Sequence, residues 1–467
     1  MDDLLTDSSK PTPAAKLVVF GATGDLVSKR LMRDSMVYLA EHDQLQPGAN
    51  DVVLVGAREQ DGRAYLDAFN RGDAESTPLS PPGLEKFAAL TGLEAPGAKV
   101  AGLDVTNPSA FKSLLAKIGT SSALYYAALP PSLYPAFLAG IKSSGLAEQN
   151  GNFRRVLLEK PFGTDAASAR ALQAQIERDF EPGQVMLVDH FLAYPGTLDV
   201  IGMRSDPALN QALSKKYVDK VEVKLLETIR SNDRPYFRHT GIVKDMIQSH
   251  AMQLLATVAA DLGPISELTE ERFREARTRL TQSLELDHKN VQHGQFVGFN
   301  DPAQGAPVGA EPSHAETFAR FNLKVHTRRW EGVPFVLTAA KGVDQNRFGV
   351  DVHLRELPPA LAERLGVPAQ TKAVLAADIS PTRLELTLDD GRHFKLQLDQ
   401  RVNDEEPPHA RLLRDAMLGE TGLFVDAAGA VKDWDVVEEF ERDAGRMLAY
   451  APGTSADQIG STNPTRG

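Results

Sequence analysis

The stretch LVVFGATGDL, residues 17–26, gives the clearest indication of the fold of this chain. Its four leading apolar residues predict a buried strand, and the glycine-containing turn after them opens a helical pattern that continues to about Ala40. Glycines at such a turn let the backbone approach a pyrophosphate, whose charge suits the amino end of a helix. Two glycines at this spacing also occur in ordinary strand-to-helix turns, so the stretch by itself makes a dinucleotide site a hypothesis.

Short apolar runs alternate with helical patterns as far as Asp189. The runs are residues 52–55, 123–126, 156–158 and 185–188. Continuous apolar strands alternating with helices predict a doubly wound parallel sheet with helices on both faces, an α/β domain of the Rossmann type.

The pattern changes beyond Asp189, where strands with alternating polarity are interspersed with helices near residues 244–259 and 410–418. The strands are residues 221–225, 318–325 and 383–398. This pattern predicts a larger α+β domain with a mainly antiparallel sheet. We therefore predict a tail at 1–15, a Rossmann domain at 16–190, an α+β domain at 191–451 and a second tail at 452–467, both tails being polar, proline-containing and mobile.

The composition excludes several classes of function. The chain has 51 basic and 63 acidic side chains and a net charge of -12, which argues against nucleic acid or an anionic membrane as partner. Cysteine is absent, which excludes disulfides, thiolate metal sites and a cysteine nucleophile. The first residues lack the order of a secretion signal and no apolar run approaches membrane-spanning length, so we expect a cytoplasmic protein.

Three separated segments occur in the order in which glucose-6-phosphate dehydrogenases carry closely similar blocks. They are EKPFG (159–163), DMIQSH (245–250) and RWEGVPF (329–335). The chain resembles that family from about Lys16 to about Tyr450. The resemblance implies a nicotinamide-dependent oxidation of a pyranose sugar at C1 to a lactone, without a metal ion. It also implies a homodimer or homotetramer joined through the large sheet of the second domain.

Removal of hydride from the C1 carbon of a cyclic aldose requires loss of the hydroxyl proton, and histidine is the natural base for this step. Spacing alone would favour His250 as a hydrogen-bonded core residue. The resemblance instead implies that His250 is the base and that Asp189 orients it, as an aspartate does in other histidine-based catalysis. Candidate substrate contacts, on the same basis or by position in these blocks, are Lys160, His190, Tyr194, Glu227, Asp245 and Lys341.

The resemblance also assigns a set of cofactor contacts. These are Gly21, Thr23, Gly24, Asp25, Leu26, Arg58, Pro130 and Lys160. In GARE (56–59), at the end of the second strand, an arginine favours the 2′-phosphate of NADP, whereas an acid would bind the ribose hydroxyls of NAD. Arg58 therefore predicts NADP, and Glu59 beside it keeps NAD as the alternative.

The chain departs from the family at the substrate's phosphate. The family typically shows DHYLGKE where this chain has DHFLAYP (189–195), so the histidine is retained while a tyrosine and a lysine that grip the phosphate are replaced. Ser28 and Asn346 also stand where the family has lysines. We therefore expect a modified or non-phosphorylated hexose as substrate. The alternatives are a catalytically silent binding or assembly paralogue, or glucose 6-phosphate held by relocated ligands, with candidates Lys29, Arg238 and Arg347.

Overall fold

The structure is a computed structural model that describes residues 10–24, 26–71, 79–263, 267–396 and 405–460, without the side chains of residues 26, 28–30 and 32. The strands are β1 (Ala15–Phe20), β2 (Asn50–Gly56), β3 (Gln60–Asp61), β4 (Lys99–Gly102), β5 (Ala123–Ala127), β6 (Arg154–Glu159), β7 (Val185–Val188), β8 (Val218–Glu227), β9 (Leu284–Phe296), β10 (Phe318–Val325), β11 (Phe335–Lys341), β12 (Arg347–Leu354), β13 (Ala373–Ser380), β14 (Thr382–Leu388), β15 (His393–Lys395) and β16 (Leu448–Tyr450).

The helices are α1 (Leu26–Met36), α2 (Val37–Glu41), α3 (Gly62–Arg71), α4 (Pro81–Thr91), α5 (Phe111–Ile118), α6 (Tyr134–Ser143), α7 (Ala166–Asp179), α8 (Pro195–Met203), α9 (Pro207–Ala212), α10 (Pro235–Ile242), α11 (Val243–Ala251), α12 (Met252–Ala259), α13 (Glu270–Gln282), α14 (Pro359–Leu365), α15 (Pro408–Leu418) and α16 (Ala427–Asp443). Short 3₁₀ turns occur at Pro108–Ala110, Pro131–Leu133, His190–Ala193, Pro302–Gln304 and Ala456–Gln458. None of the described helices is both long enough and apolar enough to cross a membrane.

The chain forms two compact units. The first unit contains the described residues of 2–193 and 403–427, and the second contains those of 194–402 and 428–467. The segment 403–427 falls inside the predicted α+β domain by sequence position, but its described part belongs to the first unit. This segment carries α15, which packs on α1 and on the turn His190–Ala193.

The sheet of the first unit has the order β3-β4-β2-β1-β5-β6-β7. All neighbouring strands are parallel except the short edge strand β3, which runs antiparallel to β4. Without β3 the order is that of a dinucleotide-binding fold, with the reversal of strand order between β1 and β5. The predicted Rossmann-type sheet is confirmed, and residues 17–20 of β1 are almost fully buried, as expected for a sheet covered on both faces.

The sheet of the second unit has the order β15-β14-β13-β12-β8-β11-β10-β9-β16. Its neighbours are antiparallel except for the pairs β8–β11 and β9–β16, which confirms the predicted α+β class. The single strand predicted at 383–398 is wrong in its extent, because the described part forms the hairpin β14–β15. The chain reverses there at Gly391, whose φ of +84° suits a glycine in a tight turn.

Candidate active site

The glycine turn after β1 brings the backbone close to the connection that follows β5. Gly21 has a φ of +79°, and a Cβ atom at this residue would collide with the carbonyl oxygen of Ala128. The N–H groups of Gly21 and Ala22 donate to the Val55 carbonyl at 2.9 and 3.0 Å, and the Tyr65 hydroxyl donates to the Ala22 carbonyl at 2.7 Å. The turn is therefore well anchored, and only glycine fits at position 21.

The residues that follow lie at the carboxyl edge of the sheet, where β1 and β5 adjoin. Thr23 and Gly24 are exposed, and so is Pro130 in the loop after β5. Asp25 and the side chain of Leu26 lie outside the described residues. An exposed glycine backbone at the reversal of strand order, close to the start of a helix, fits the pyrophosphate of a dinucleotide cofactor.

The loop after β2 carries an arginine and a glutamate in different surroundings. Both Arg58 and Glu59 are exposed. Glu59 pairs with Lys99 of β4, whose Nζ lies 2.6 Å from Oε1, and this hydrogen bond raises the pKa of Lys99. Within the described part of the chain, no residue forms an ion pair with Arg58. The arginine is thus available to an anionic ligand, whereas the charge of the glutamate is already compensated.

Lys160 follows β6 at the same carboxyl edge and is partly exposed. The residue before it, Glu159, is buried, and its carboxylate accepts a hydrogen bond from the Tyr126 hydroxyl. Its carbonyl accepts from the Tyr134 hydroxyl at 2.7 Å, and His409 Nε2 lies 3.4 Å from its carboxylate. Burial raises the pKa of Tyr126 well above its ordinary value, so the phenol remains a donor. These contacts fix the end of β6 from which Lys160 extends.

Asp189 and His190 follow β7 directly. Asp189 is 1% exposed, and its Oδ1 accepts a hydrogen bond from the Phe191 N–H at 3.0 Å. His190 is partly exposed, and its ring stacks on that of His409 with 5.2 Å between the centroids. The turn therefore buries the predicted orienting carboxylate and leaves the neighbouring imidazole accessible.

Three of the predicted substrate residues meet in the second unit. Glu227 and Lys341 are register partners at the ends of the parallel strands β8 and β11, and their side chains form an ion pair. The Lys341 ammonium also lies 3.7 Å from Asp245 Oδ2 and 5.0 Å from the centroid of the Phe237 ring. Lys341 is 4% exposed, whereas the two acids are partly exposed. Two carboxylates around a buried cation offer the acceptors that sugar hydroxyls need.

The helix α11 carries both Asp245 and His250. Its hydrogen bonds are of the π type, from residue i to residue i+5. In an α-helix, residues five apart point about 140° away from each other, because each residue turns the helix by about 100°. The π pattern turns the chain by a smaller angle per residue, which brings Asp245 and His250 closer to the same side of the helix. His250 is 2% exposed.

Two arginines considered as relocated phosphate ligands are engaged elsewhere. The Arg347 guanidinium donates to Asp351 and Asp378 at 2.6 to 2.8 Å through all three of its nitrogens. Arg238 is 8% exposed and donates to two carbonyl groups of the loop 299–311, at 3.4 and 2.8 Å. Both side chains therefore hold the second unit together.

The structure describes only some of the other residues considered for the C6 end of the substrate. Asn346 is exposed, and its Oδ1 accepts a hydrogen bond from the Thr228 N–H at 2.8 Å. Tyr194 is partly exposed and precedes α8. The side chains of Ser28 and Lys29 lie outside the described residues.

Sequence reasoning did not identify Lys99, His409 or Glu316 as neighbours of the candidate site. Glu316 accepts hydrogen bonds at the start of α11, through its carboxylate from Val243 and through its carbonyl from Ile242. Each of these residues reaches its partner from a distant part of the chain, so no local pattern marks it. These three residues could be identified only from knowledge of which strands and helices are neighbours in the fold.

Comparison with known proteins gives a consistent result. Residues 18–195 match the family model "Glucose-6-phosphate dehydrogenase, NAD binding domain", and residues 204–462 match "Glucose-6-phosphate dehydrogenase, C-terminal domain". The cytoplasmic isoform of glucose-6-phosphate 1-dehydrogenase from Solanum tuberosum is 29% identical over 96% of this chain and 90% of its own length. Glucose-6-phosphate 1-dehydrogenase from Gluconobacter oxydans is also 29% identical, over 94% of this chain and 93% of its own length.

Solved structures agree with the family models. The crystal structure of glucose-6-phosphate 1-dehydrogenase from Mycobacterium avium is similar with a TM-score of 0.77 at 25% identity, and 95% of each chain is covered. A glucose-6-phosphate dehydrogenase solved in complex with glucose-6-phosphate has the same TM-score at 19% identity, over 99% of this chain and all of the other. The second similarity concerns the fold alone.

Proposed function

Because this chain belongs to the glucose-6-phosphate dehydrogenase family, we propose that it oxidises a hexose at C1 to a lactone, with NADP as hydride acceptor. The observation that carries the proposal is the cluster of Glu227, Lys341 and Asp245, whose polar groups suit sugar hydroxyls and of which Asp245 lies on the helix that also carries His250. A nicotinamide dinucleotide takes up the hydride when it is bound.

The chemical roles of the side chains follow from their surroundings. His250 takes the C1 hydroxyl proton, and a buried imidazole is suited to this because water does not compete for it. Asp189 is proposed to orient His250 and to stabilise the imidazolium form of His250. Its burial resembles that of the aspartate in a serine-protease triad. Lys160, Glu227, Asp245 and Lys341 hold the sugar hydroxyls so that the C1 hydrogen has a defined direction.

The cofactor is proposed to lie on the glycine turn, with Gly21, Thr23, Gly24 and Pro130 around the pyrophosphate edge and Arg58 at the adenosine ribose. Preference for NADP over NAD is supported by the exposed Arg58, which has no ion pair among the described residues, and by the pairing of Glu59 with Lys99. A 2′-phosphate of NADP could pair with Arg58, whereas the acid that would bind the ribose hydroxyls of NAD, Glu59, is already paired with Lys99.

The preferred sugar is proposed to be neutral at C6 or to carry a group other than phosphate. A hydrogen bond to a charged group contributes about 1.5 to 3 kcal/mol, so loss of two phosphate-binding cations lowers kcat/KM for a 6-phosphate by about two to four orders of magnitude. The contacts of Arg238 and Arg347 support this proposal, because both guanidinium groups already serve other acceptors. Of the predicted substrate contacts, His190 and Tyr194 are the ones that we propose for the C6 end of the sugar.

The test is a spectrophotometric assay of cofactor reduction against a panel of free, phosphorylated and acidic aldoses. We expect turnover with NADP, a kcat/KM for an unphosphorylated or differently charged hexose above that for glucose 6-phosphate, and a loss of kcat of about 10²- to 10⁴-fold in His250→Asn. A clear preference for glucose 6-phosphate would contradict the altered C6 end. Absence of turnover with every sugar, together with retained dinucleotide binding, would favour the silent paralogue.

A further inference from the structure

We propose that Glu316 is a positioning residue for the proposed base, because it fixes the start of the helix that carries His250. The inference rests on the proposed function of His250. Glu316 precedes β10, and its Oε1 accepts a hydrogen bond from the Val243 N–H at 3.0 Å. Its carbonyl oxygen accepts from the Ile242 N–H at 2.9 Å. The first N–H groups of a helix have no partner within the helix, so one residue here satisfies two donors at the start of α11.

The backbone before α11 is shaped to admit this carboxylate. Gly241, the penultimate residue of α10, has φ +69° and ψ -179° and interrupts the helical backbone just before α11. A Cβ atom at Gly241 would lie 2.6 Å from Cδ of Glu316, closer than real contacts allow. The positive φ requires glycine, and a side chain at this position would displace the carboxylate of Glu316 from its place beside the helix start.

The same segment is tied to the lysine of the sugar-binding cluster. The carbonyl of Thr317 accepts a hydrogen bond from the Lys341 N–H at 2.8 Å. The Tyr450 hydroxyl donates to the Lys341 carbonyl at 2.7 Å and lies 2.7 Å from the Thr317 hydroxyl. Residues 316 and 317 therefore join the start of the helix to the strand end that carries Lys341. The position of His250 relative to Lys341 depends on this connection.

Reaction rates are sensitive to such placement, because a shift of about 1 Å in a reacting group lowers the rate by about 10²-fold. Removal of the carboxylate leaves the Val243 N–H without its acceptor and releases the kink. Among the described residues, Glu316 forms no hydrogen bond or ion pair with the proposed sugar or cofactor contacts, so its effect on the reaction passes through the helix. Other charged groups near it are Lys244, which follows Val243, and Glu441 of α16, which themselves pair at 2.8 Å.

The experiment compares Glu316→Ala and Glu316→Gln in the full chain with Glu311→Ala, an exposed glutamate of the preceding loop. We expect Glu316→Ala to lower kcat about 10- to 100-fold without change in the affinity for NADP, measured by fluorescence titration. Glu316→Gln keeps an oxygen acceptor for Val243 and is expected to retain kcat within about threefold. Hydrogen exchange at residues 242–251, followed by mass spectrometry, is expected to rise in Glu316→Ala alone.

The inference is overturned by a kcat of Glu316→Ala equal to that of the unchanged protein, or by unchanged exchange at residues 242–251 in that variant. Equal losses in the Gln and Ala variants also contradict it, because a role as hydrogen-bond acceptor predicts rescue by Gln. If the unchanged protein oxidises no sugar, the proposed function fails, and the exchange measurement still decides whether Glu316 holds the helix.

Discussion

At the scale of single residues, the neighbours of a charged side chain decide whether it can serve a ligand. Arg58 and Arg347 are both cations that suit phosphate. Arg58 is exposed and has no ion pair among the described residues, whereas Arg347 is enclosed between Asp351 and Asp378. The residue type alone does not separate the two cases, because Asp378, one partner of Arg347, is brought close only by the pairing of β12 with β13.

Replacement of Arg347 is expected to change stability and not substrate choice. Arg347→Met removes the cation that Asp351 and Asp378 share, although Lys224 still pairs with Asp351 and Arg383 with Asp378. We expect the loss of these charged hydrogen bonds to lower the free energy of unfolding by about 1.5 to 3 kcal/mol. The measurement is urea denaturation, with Arg355→Met as control because Arg355 pairs with Asp219 on an exposed surface. A selective rise in KM for glucose 6-phosphate, without loss of stability, would instead identify Arg347 as a phosphate ligand.

Replacement of Lys99 is expected to shift cofactor choice. Lys99→Met releases Glu59, whose charge then repels a 2′-phosphate and accepts from the ribose hydroxyls of NAD. We expect the ratio of NADP to NAD affinity to fall only about two- to fivefold, because solvent weakens the interactions of exposed charges. Lys324→Met, which breaks an exposed pair with Glu285, is the matched control. An unchanged ratio in calorimetric titrations would show that Glu59 has no part in the choice.

Sequence patterns located the candidate residues, but not these pairings. The runs before Gly21 and Lys160 are local, because strand and turn preferences depend on a few adjacent residues. The pairing of Lys99 with Glu59 spans two strands that adjoin only in the folded sheet. Which side chains neutralise each other is therefore a property of the sheet order, which one sequence does not display.

At the scale of elements, π-type hydrogen bonding occurs in the two helices that bear on the proposed site. Helix α1 follows the glycine turn, and helix α11 carries Asp245 and His250. Periodicity in the sequence predicted helices at both places without distinguishing the two hydrogen-bond patterns. The distinction matters in α11, because the i to i+5 pattern brings the acid and the imidazole closer to one side of the helix than an α-helix would.

The cap of α11 is expected to make stability depend on pH. Burial is the main cause that raises the pKa of Glu316 from 4.5 to about 7; backbone hydrogen bonds, including that from Val243, and Lys244 oppose the rise, and Glu441 adds to it. A carboxyl whose folded pKa is raised stabilises the fold below its unfolded pKa, and this contribution is lost as the pH rises through about 7. Its full size is about 3 kcal/mol as an upper limit.

The neutral variant Glu316→Gln removes this dependence. We expect it to match the unchanged protein in free energy of unfolding near pH 4.5 and to exceed it above pH 7. Denaturation at a series of pH values measures the difference. A constant difference across that range would mean that Glu316 does not titrate between the two values, and Glu311→Gln is the matched control at an exposed position.

For the molecule as a whole, the chain returns to its first unit after β15 and then enters the second unit again, to which β16 belongs. Arg155 of β6 donates to the carbonyls of Ala416 and Met417 at 2.7 and 2.8 Å, and Leu187 of β7 forms a bridge with Val425. Within the returning segment, Arg414 pairs with Glu406 at 2.6 Å in a buried position. The first unit is therefore not a contiguous piece of the sequence.

A fragment of residues 1–193 is accordingly expected to be much less stable than the same residues within the full chain. It lacks the acceptors of Arg155 and the helix that covers α1 and the turn His190–Ala193. Thermal unfolding by circular dichroism tests this, with a fragment in which residues 405–427 are attached through a flexible linker as the control. Equal melting temperatures for the two fragments would refute the structural role of the returning segment.

Association into a dimer or tetramer through the large sheet remains a prediction from the family resemblance. Sedimentation of the full chain over a range of concentrations measures it directly. A monomer at all concentrations would contradict it.

From the sequence alone follow the fold class, the alternation of buried strands and helices in the first unit, and the positions of the glycine turn and of the motif residues. These depend on short-range backbone preferences and on the periodic burial of apolar side chains. Tertiary structure alone decided that Arg347 is neutralised while Arg58 is not, that Glu316 caps the helix of His250, and that residues 405–427 complete the first unit. Each of these depends on electrostatic and hydrogen-bond contacts between distant residues, which exist only after the chain has folded.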